Sequence, residues 1–158
     1  MQDEMRKEQE ELSKNANIYD LLKIEHRDVK KLFKQIVDNE RYQDDVYSTI
    51  KTALTLHMDA EEKVFYSKLE NNPESRDIVL EAFEEHDVGK KIINDIDNST
   101  ADDVKLAKVK VLSEAIDQHI DEEEGDLFKK AKKVLSDDQE HDIARQFMDE
   151  KMARMPKM

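Results

Sequence analysis

The sequence predicts an all-α protein, an up-down-up-down antiparallel four-helix bundle with an additional C-terminal helix. Apolar residues recur at the i, i+3, i+4, i+7 spacing of a buried helix face through most of the 158 residues. Only 2 glycines and 2 prolines are present to interrupt this pattern. The polar breaks between the periodic segments are short, and short loops join antiparallel neighbours in a bundle.

The first two helices follow from their apolar stripes. The first is expected at roughly residues 18–37, with a stripe formed by Leu22, His26, Val29 and Phe33. Polar residues 38–40 end it. The second is expected at roughly residues 44–70, with a stripe formed by Ile50, Ala53, Leu54, His57, Glu61, Val64 and Phe65.

The third and fourth helices begin after predicted caps. Asn72 is expected to cap the third helix and Pro73 to occupy its first position. This helix covers roughly residues 74–96, with a stripe of Val79, Ala82, Phe83, His86 and Ile93. Thr100 and Asp103 fit the start of a fourth helix over roughly residues 102–135. Its stripe contains Val109, Leu112, Ile116, His119, Glu123 and Leu127.

A fifth helix is expected over roughly residues 137–153, capped by Ser136. One folded domain suits a chain of this length. We therefore divide the chain into an N-terminal extension (1–16), the four-helix bundle (17–136) and a C-terminal helix and tail (137–158).

Composition excludes several classes of function. The net charge is −13, which argues against nucleic acid as a partner because no basic patch is present. No apolar run approaches the ~20 residues that cross a membrane, and the polar N-terminus is unlike a secretory signal. The absence of cysteine excludes disulfides, thiolate metal sites and iron–sulfur clusters. A cytoplasmic protein without a membrane partner is expected.

Four histidines recur at nearly equal intervals, and they are His26, His57, His86 and His119. Counting from each histidine to the nearest loop, at ~1.5 Å per helical residue, places all four near one cross-section of the bundle. Glu61 follows His57 by four residues, and Glu123 follows His119 by four residues. Residues at i and i+4 lie on one helix face, so each pair directs an imidazole and a carboxylate at the same centre.

Four imidazoles and two carboxylates at one level of a bundle form a candidate site for two metal ions. Nitrogen and oxygen donors without thiolate suit iron, manganese or zinc. If each carboxylate bridges both ions and an oxide or hydroxide joins them, each ion keeps one open position for a ligand. Two divalent ions against two carboxylates leave about two positive charges, which require further anions and hydrogen bonds nearby.

Simpler interpretations exist for each residue. A single histidine on an apolar face is usually a hydrogen-bonded core residue, and the acidic runs 59–62 and 121–124 would allow both glutamates to be exposed. Glu124, five residues after His119, is expected to point away from the centre. His141 is interpreted as a surface residue. The methionines of the tail are interpreted as packing rather than a copper site.

The four segments that carry these residues resemble the hemerythrin-like, HHE cation-binding family. The matching segments are 20–26, 56–65, 83–86 and 119–123, and the resemblance covers roughly residues 18–135. It implies a four-helix bundle around a non-haem di-iron centre that binds oxygen. The expected cofactor is therefore two iron ions with an oxide or hydroxide bridge, ahead of manganese or zinc.

The sequence departs from the oxygen carriers of that family. The carriers have a fifth histidine where this chain has Lys90, next to Gly89. The carriers also use an aspartate one residue beyond the position of Glu123. The chain therefore resembles the bacterial four-histidine, two-glutamate branch, which argues against reversible oxygen carriage. Lys30 and Lys90 are expected to turn outward, and Gly89 either leaves space beside the metal or marks a close helix contact.

Three functions remain open from the sequence. The first is a metal-binding protein that takes up O2, NO or peroxide for storage, sensing or delivery. The second is a di-iron oxidoreductase that turns over peroxide or NO. The third is an iron-handling, stress-response or purely structural domain. No further acid–base residue can be assigned near the centre, which favours binding of a diatomic or peroxide ligand over catalysis.

Overall fold

The computed structural model describes residues 16–155, and residues 1–15 and 156–158 lie outside the described part. The predicted N-terminal extension therefore falls almost entirely outside it. The elements, in chain order, are α1 (Ile18–Val37), α2 (Asp44–Val64), a 3-10 turn (Tyr66–Lys68), α3 (Arg76–Asp97), α4 (Asp102–Glu122), a π-helical turn (Glu123–Leu127), α5 (Phe128–Val134) and α6 (Asp137–Arg154). No strand occurs among the described residues.

The first four helices form the predicted antiparallel bundle. Helix α1 packs against α2 and α4, and α3 packs against α4 and α2. The additional helix α6 lies over α2 and α1. The structure thus confirms the all-α fold class. Within residues 16–155, no helix is both long and apolar enough to span a membrane.

The apolar core consists of two clusters. One contains the first turns of α1, the end of α2 and the residues that follow it, the start of α3 and residues of α5 and α6, among them Leu22, Phe65, Phe128 and Phe147. The other contains the last turns of α1, the start of α2 and parts of α3 and α4, among them Phe33, Ile50, Ile96 and Leu112. The four histidines lie between these clusters. On α1, for example, His26 falls between Leu22 of the first cluster and Val29 of the second.

Two predicted caps were wrong and one is confirmed. The Asn72 side chain accepts from the Glu74 amide at 2.9 Å, and α3 begins later, after Ser75. Helix α4 begins after Ala101 without a side-chain cap. Ser136 does cap α6, because its hydroxyl accepts from the Gln139 amide while the Gln139 side chain accepts from the Ser136 amide.

Helix α2 changes geometry shortly after its predicted metal glutamate, and α4 changes geometry at its predicted metal glutamate. Helix α2 ends at Val64 instead of reaching residue 70, and the tighter 3-10 turn follows it. Helix α4 widens into the π-helical turn at Glu123 instead of continuing as a regular helix. The 3-10 turn allows Phe65, Tyr66 and Leu69 to be fully buried together.

Candidate metal centre

The structure brings all six predicted residues together inside the bundle. His26 lies on α1, His57 and Glu61 on α2, His86 on α3 and His119 on α4, while Glu123 opens the π-helical turn. All six are buried. Their ligand atoms form two groups, each with its atoms within 4.8 Å of one another. The first group is His26, His57, Glu61 and Glu123, and the second is Glu61, His86, His119 and Glu123.

Both glutamates belong to both groups, and each faces one histidine of its own helix and one across the bundle. Glu61 Oε1 lies 3.5 Å from His57 Nε2 and 3.1 Å from His86 Nε2. Glu123 lies 3.4 Å from His119 Nε2 and 3.1 Å from His26 Nε2. The two carboxylates therefore lie between the two pairs of histidines, as bridging ligands do.

The donor atoms fit a metal because several of them are buried without hydrogen-bond partners. These atoms are Nε2 of His26, Nε2 of His57, both carboxylate oxygens of Glu61 and Oε1 of Glu123. Buried polar atoms are normally paired, and each unpaired atom costs about 1–3 kcal/mol. Metal coordination satisfies nitrogen and carboxylate oxygen donors of this kind.

A second ring of carboxylates surrounds the histidines. The Nδ1 atom of each histidine donates to one glutamate. The pairs are His26–Glu124 at 2.7 Å, His57–Glu25 at 2.8 Å, His86–Glu62 at 2.7 Å and His119–Glu85 at 2.7 Å. We call these four residues the outer carboxylates. Each Nδ1–H bond leaves the Nε2 lone pair free to bind a metal and directs Nε2 at the centre.

The sequence prediction missed the outer carboxylates. Glu124 does point away from the centre, as expected, but it binds His26 rather than solvent alone. A sequence signal was present, because Glu25 directly precedes His26 and Glu85 directly precedes His86. Glu62 and Glu124 likewise directly follow the two predicted bridging glutamates.

Without metal, the carboxylates hold the imidazoles in their charged form. Burial alone would lower the pKa of His57, but the carboxylates of Glu61 and Glu25 raise it to about 10. Burial alone would also lower the pKa of His119, but the carboxylates of Glu123 and Glu85 raise it to about 10. The pKa values of His26 and His86 are also raised, because their carboxylate partners outweigh burial.

One tyrosine, also missed from the sequence, enters the second group. The Tyr66 hydroxyl oxygen lies 3.4 Å from Nε2 of His86 and 3.4 Å from Nε2 of His119. It donates to the Glu123 carboxylate, and its ring stacks on the His86 imidazole. Burial, reinforced by the charge of Glu123, raises the pKa of Tyr66 well above its ordinary value, so the metal-free protein holds it as a phenol.

Helix α6 supports the first group. Lys151 is buried and forms an ion pair with Glu25, which in turn binds His57. Burial would raise the pKa of Glu25, but Lys151 and His57 lower it to about 2. Phe147 meets the His57 ring edge-on, with 5.8 Å between ring centroids.

The two lysines near the centre, Lys30 and Lys90, are both half-buried. Lys90 turns outward as predicted, with its side chain 38% exposed and paired to Asp59 at 3.1 Å and Glu62 at 3.5 Å.

His141 is half-buried rather than a free surface residue, and its Nδ1 atom donates to the Ala16 carbonyl at 3.1 Å. It lies in neither metal-binding group.

A pocket of about 130 Å³ adjoins the histidines. All four predicted histidine ligands line it, and its other walls include Val29, Leu54, Met58 and Ile116. Asp28 and Thr49 also line it, and because Thr49 is exposed the pocket reaches the surface. A Cβ atom at Gly89 would lie 3.6 Å from Ile116 Cδ1 and 3.9 Å from Met58 Sδ, two residues that line the pocket. These are ordinary contact distances to side chains, so Gly89 leaves room for one methyl group.

Comparison with known proteins agrees with this geometry. The family model described as the hemerythrin HHE cation binding domain matches residues 17–131. Searches among curated proteins and among solved structures gave no match. The matched region contains α1 to α4, both metal-binding groups and all four outer carboxylates. From the family match together with the buried histidine and glutamate cluster, the chain belongs to the hemerythrin family and carries its HHE cation-binding domain.

Proposed function

We propose that this chain is a non-haem di-iron protein that binds O2, NO or peroxide at the bundle centre for storage, sensing or delivery. The proposed ligands are His26, His57, Glu61, His86, His119 and Glu123. The observation that carries the proposal is the pair of four-residue groups that share Glu61 and Glu123. When bound, a pair of iron ions supplies electrons and open coordination positions to small oxidants.

The donor set and the charge balance support iron. Imidazole and carboxylate donors without thiolate suit iron better than a closed structural zinc site. Two divalent ions against two bridging carboxylates would leave about two positive charges in the interior. The outer carboxylates add four negative charges around them, and Lys151 and Lys90 partly offset these at the periphery.

The pocket supports a ligand of two or three atoms. Its volume of about 130 Å³ is small beside the ~300–1,000 Å³ of typical organic-ligand pockets. One water occupies about 30 Å³ in the liquid, so the pocket holds only a few small molecules. Most of its wall is apolar, which suits neutral O2 and NO.

Binding is favoured over turnover by the chemistry of that wall. Val29, Leu54, Met58 and Ile116 have no proton to give to a bound ligand. Lys151 also lines the pocket, but its ammonium group is engaged by Glu25. Turnover of peroxide or NO requires proton delivery. Outside the histidine–glutamate network, Asp28 is the one carboxyl group among the described residues of the pocket lining that could serve that purpose.

The test is iron content after anaerobic loading, followed by spectra under air, NO and peroxide. We expect two iron atoms per chain and optical changes with at least one of these ligands. His57→Ala and Glu61→Ala should lose iron and lower the melting temperature together, because metal binding adds to the free energy of folding. His141→Ala, the control outside the centre, should keep its iron.

Two results would contradict the proposal. One is saturation of the wild-type chain at a single iron. The other is loss of iron in His141→Ala while His57→Ala retains it.

A further inference from the structure

The Tyr66 hydroxyl occupies a position that the six predicted ligands do not explain. It is fully buried, and it points from the 3-10 turn into the second metal-binding group. Its oxygen is equidistant from Nε2 of His86 and Nε2 of His119, at 3.4 Å from each. Those two nitrogens are the atoms expected to bind one ion.

Donor spacing decides whether this oxygen belongs to a coordination shell. Donors bound at about 2.0–2.1 Å to one ion lie roughly 3.0 Å apart at right angles and roughly 3.4 Å apart in a tetrahedron. Within the same group, His86 and Glu61 are separated by 3.1 Å, and His119 and Glu123 by 3.4 Å. The hydroxyl oxygen is therefore spaced from the two nitrogens as the carboxylate ligands are.

This tyrosine makes the two halves of the centre unequal. Tyr66 lies nine residues after His57, and the residue nine after His119 is Phe128, which has no donor atom. In the first group, Nε2 of His26 and Nε2 of His57 have no hydrogen-bond partner. In the second group, both histidine nitrogens face the tyrosine oxygen.

We propose that Tyr66 is an additional ligand of the ion held by His86 and His119, an inference that rests on the proposed di-iron function. The phenol proton is released on metal binding, as protons of other metal ligands are. A bound cation provides the positive charge that favours a phenolate in a site where the carboxylates alone favour the phenol. The ion held by His26 and His57 then retains more open positions, and external ligands bind there.

The competing assignment gives Tyr66 a hydrogen-bonding role only, as donor to the Glu123 carboxylate. The two assignments differ in a spectroscopic signature. A phenolate bound to iron(III) produces a visible charge-transfer band, and excitation in that band enhances tyrosine ring vibrations in the resonance Raman spectrum. A phenol that only donates a hydrogen bond produces neither.

The experiment uses the full chain, loaded with iron and oxidised in air. Wild type is compared with Tyr66→Phe and with Tyr47→Phe. Tyr47 is a matched control because it lies in the other core cluster, where its hydroxyl contacts the Ile93 carbonyl and the Asp97 carboxylate instead of the centre. We expect two iron atoms per chain in all three proteins, and loss of the band and of the ring vibrations in Tyr66→Phe alone.

Three outcomes overturn the inference. If wild type binds two irons but shows no tyrosine ring vibrations, the inference is wrong and the di-iron function stands. The same holds if the ring vibrations persist in Tyr66→Phe. Wild type that takes up no iron would overturn both proposals. If Tyr66→Phe does not fold, ring-deuterated tyrosine in wild type decides the question, because only a bound tyrosine shifts the enhanced vibrations.

Discussion

Each imidazole of the centre is held from behind by a carboxylate. The Nδ1–H bonds to Glu25, Glu62, Glu85 and Glu124 fix both the tautomer and the ring orientation of the histidines. They also make the rings more electron-rich, which strengthens metal binding. Affinity for a metal would therefore depend on residues outside the six proposed ligands.

Glu85→Gln should weaken metal binding by about 10–100-fold, because the amide keeps the shape of the side chain but removes its charge. The measurement is a competition titration against a chelator. Glu84→Gln is the matched control, since Glu84 is the exposed neighbour of Glu85. Equal affinities of the two variants would show that the outer carboxylate on His119 has no influence.

The convergence of the six central residues could be predicted from the sequence, and the outer carboxylates could not. A histidine on an apolar stripe is conspicuous because it interrupts a run of aliphatic residues. Glu62 and Glu124 stand in acidic runs, where most carboxylates face solvent. Their role depends on reaching an imidazole of a different helix, and that distance is set by the packing of the bundle.

The helices differ in how well their ends follow from local sequence. Helix α1 matches its predicted range of 18–37, because polar residues flank its stripe on both sides. Helix α2 ends six residues early, where burial of Phe65, Tyr66 and Leu69 outweighs the local helical pattern. The π-helical turn at Glu123–Leu127 has no local sequence signature that we recognise, although such turns are frequent at functional sites.

Helix α6 is more than a cover over the bundle, because it places a positive charge beside the centre. Lys151 and Glu25 are almost fully buried, with side chains 8% and 10% exposed. The pair continues to His57, so the last helix is joined to the first metal-binding group by two successive polar contacts. Pairs of this kind are costly to break because the remaining charge stays buried.

Lys151→Met should therefore lower the free energy of unfolding by about 3 kcal/mol, since it leaves the Glu25 charge without its ammonium partner. Urea denaturation of the two proteins provides the measurement. Lys133→Met is the control, because Lys133 is 59% exposed and forms a surface pair with Glu74. That change should cost less than about 1 kcal/mol. A loss of similar size in both variants would show that burial of the Lys151 pair contributes little.

At the scale of the whole molecule, the polar centre separates two apolar clusters. Helices α1, α2 and α3 contribute residues to both clusters, whereas α4 contributes to one cluster, and the π-helical turn and α5 that follow it contribute to the other. Each of the four bundle helices contributes one histidine between the clusters. Without metal, charged imidazoles and carboxylates hold this level together. With metal bound, coordination bonds would do so instead.

The metal-free protein should become less stable as the pH rises. The pKa values of His57 and His119 are raised from 6.5 to about 10, so the folded state binds protons more tightly than the unfolded state. Their contribution to stability is complete below pH 6.5 and is lost as the pH rises through about 10.

Thermal unfolding with a chelator present, from about pH 6 to pH 10, should show this loss. Metal-loaded protein is the control and should not show it, because its imidazoles bind the ions without protons. A melting temperature of the metal-free protein that stays constant or increases over this range would contradict the prediction.

Each helical hairpin also contributes two histidines and one glutamate to the centre. His26, His57 and Glu61 come from α1 and α2, and the other hairpin supplies His86, His119 and Glu123. Two histidines and one carboxylate with open positions form the facial triad of mononuclear iron(II) oxygenases. Each hairpin thus carries the donor types of one such triad, and both glutamates belong to both metal-binding groups. A chain that held one ion would be a mononuclear species in its own right, and a carboxylate shared with the other group would already lie beside the place of a second ion.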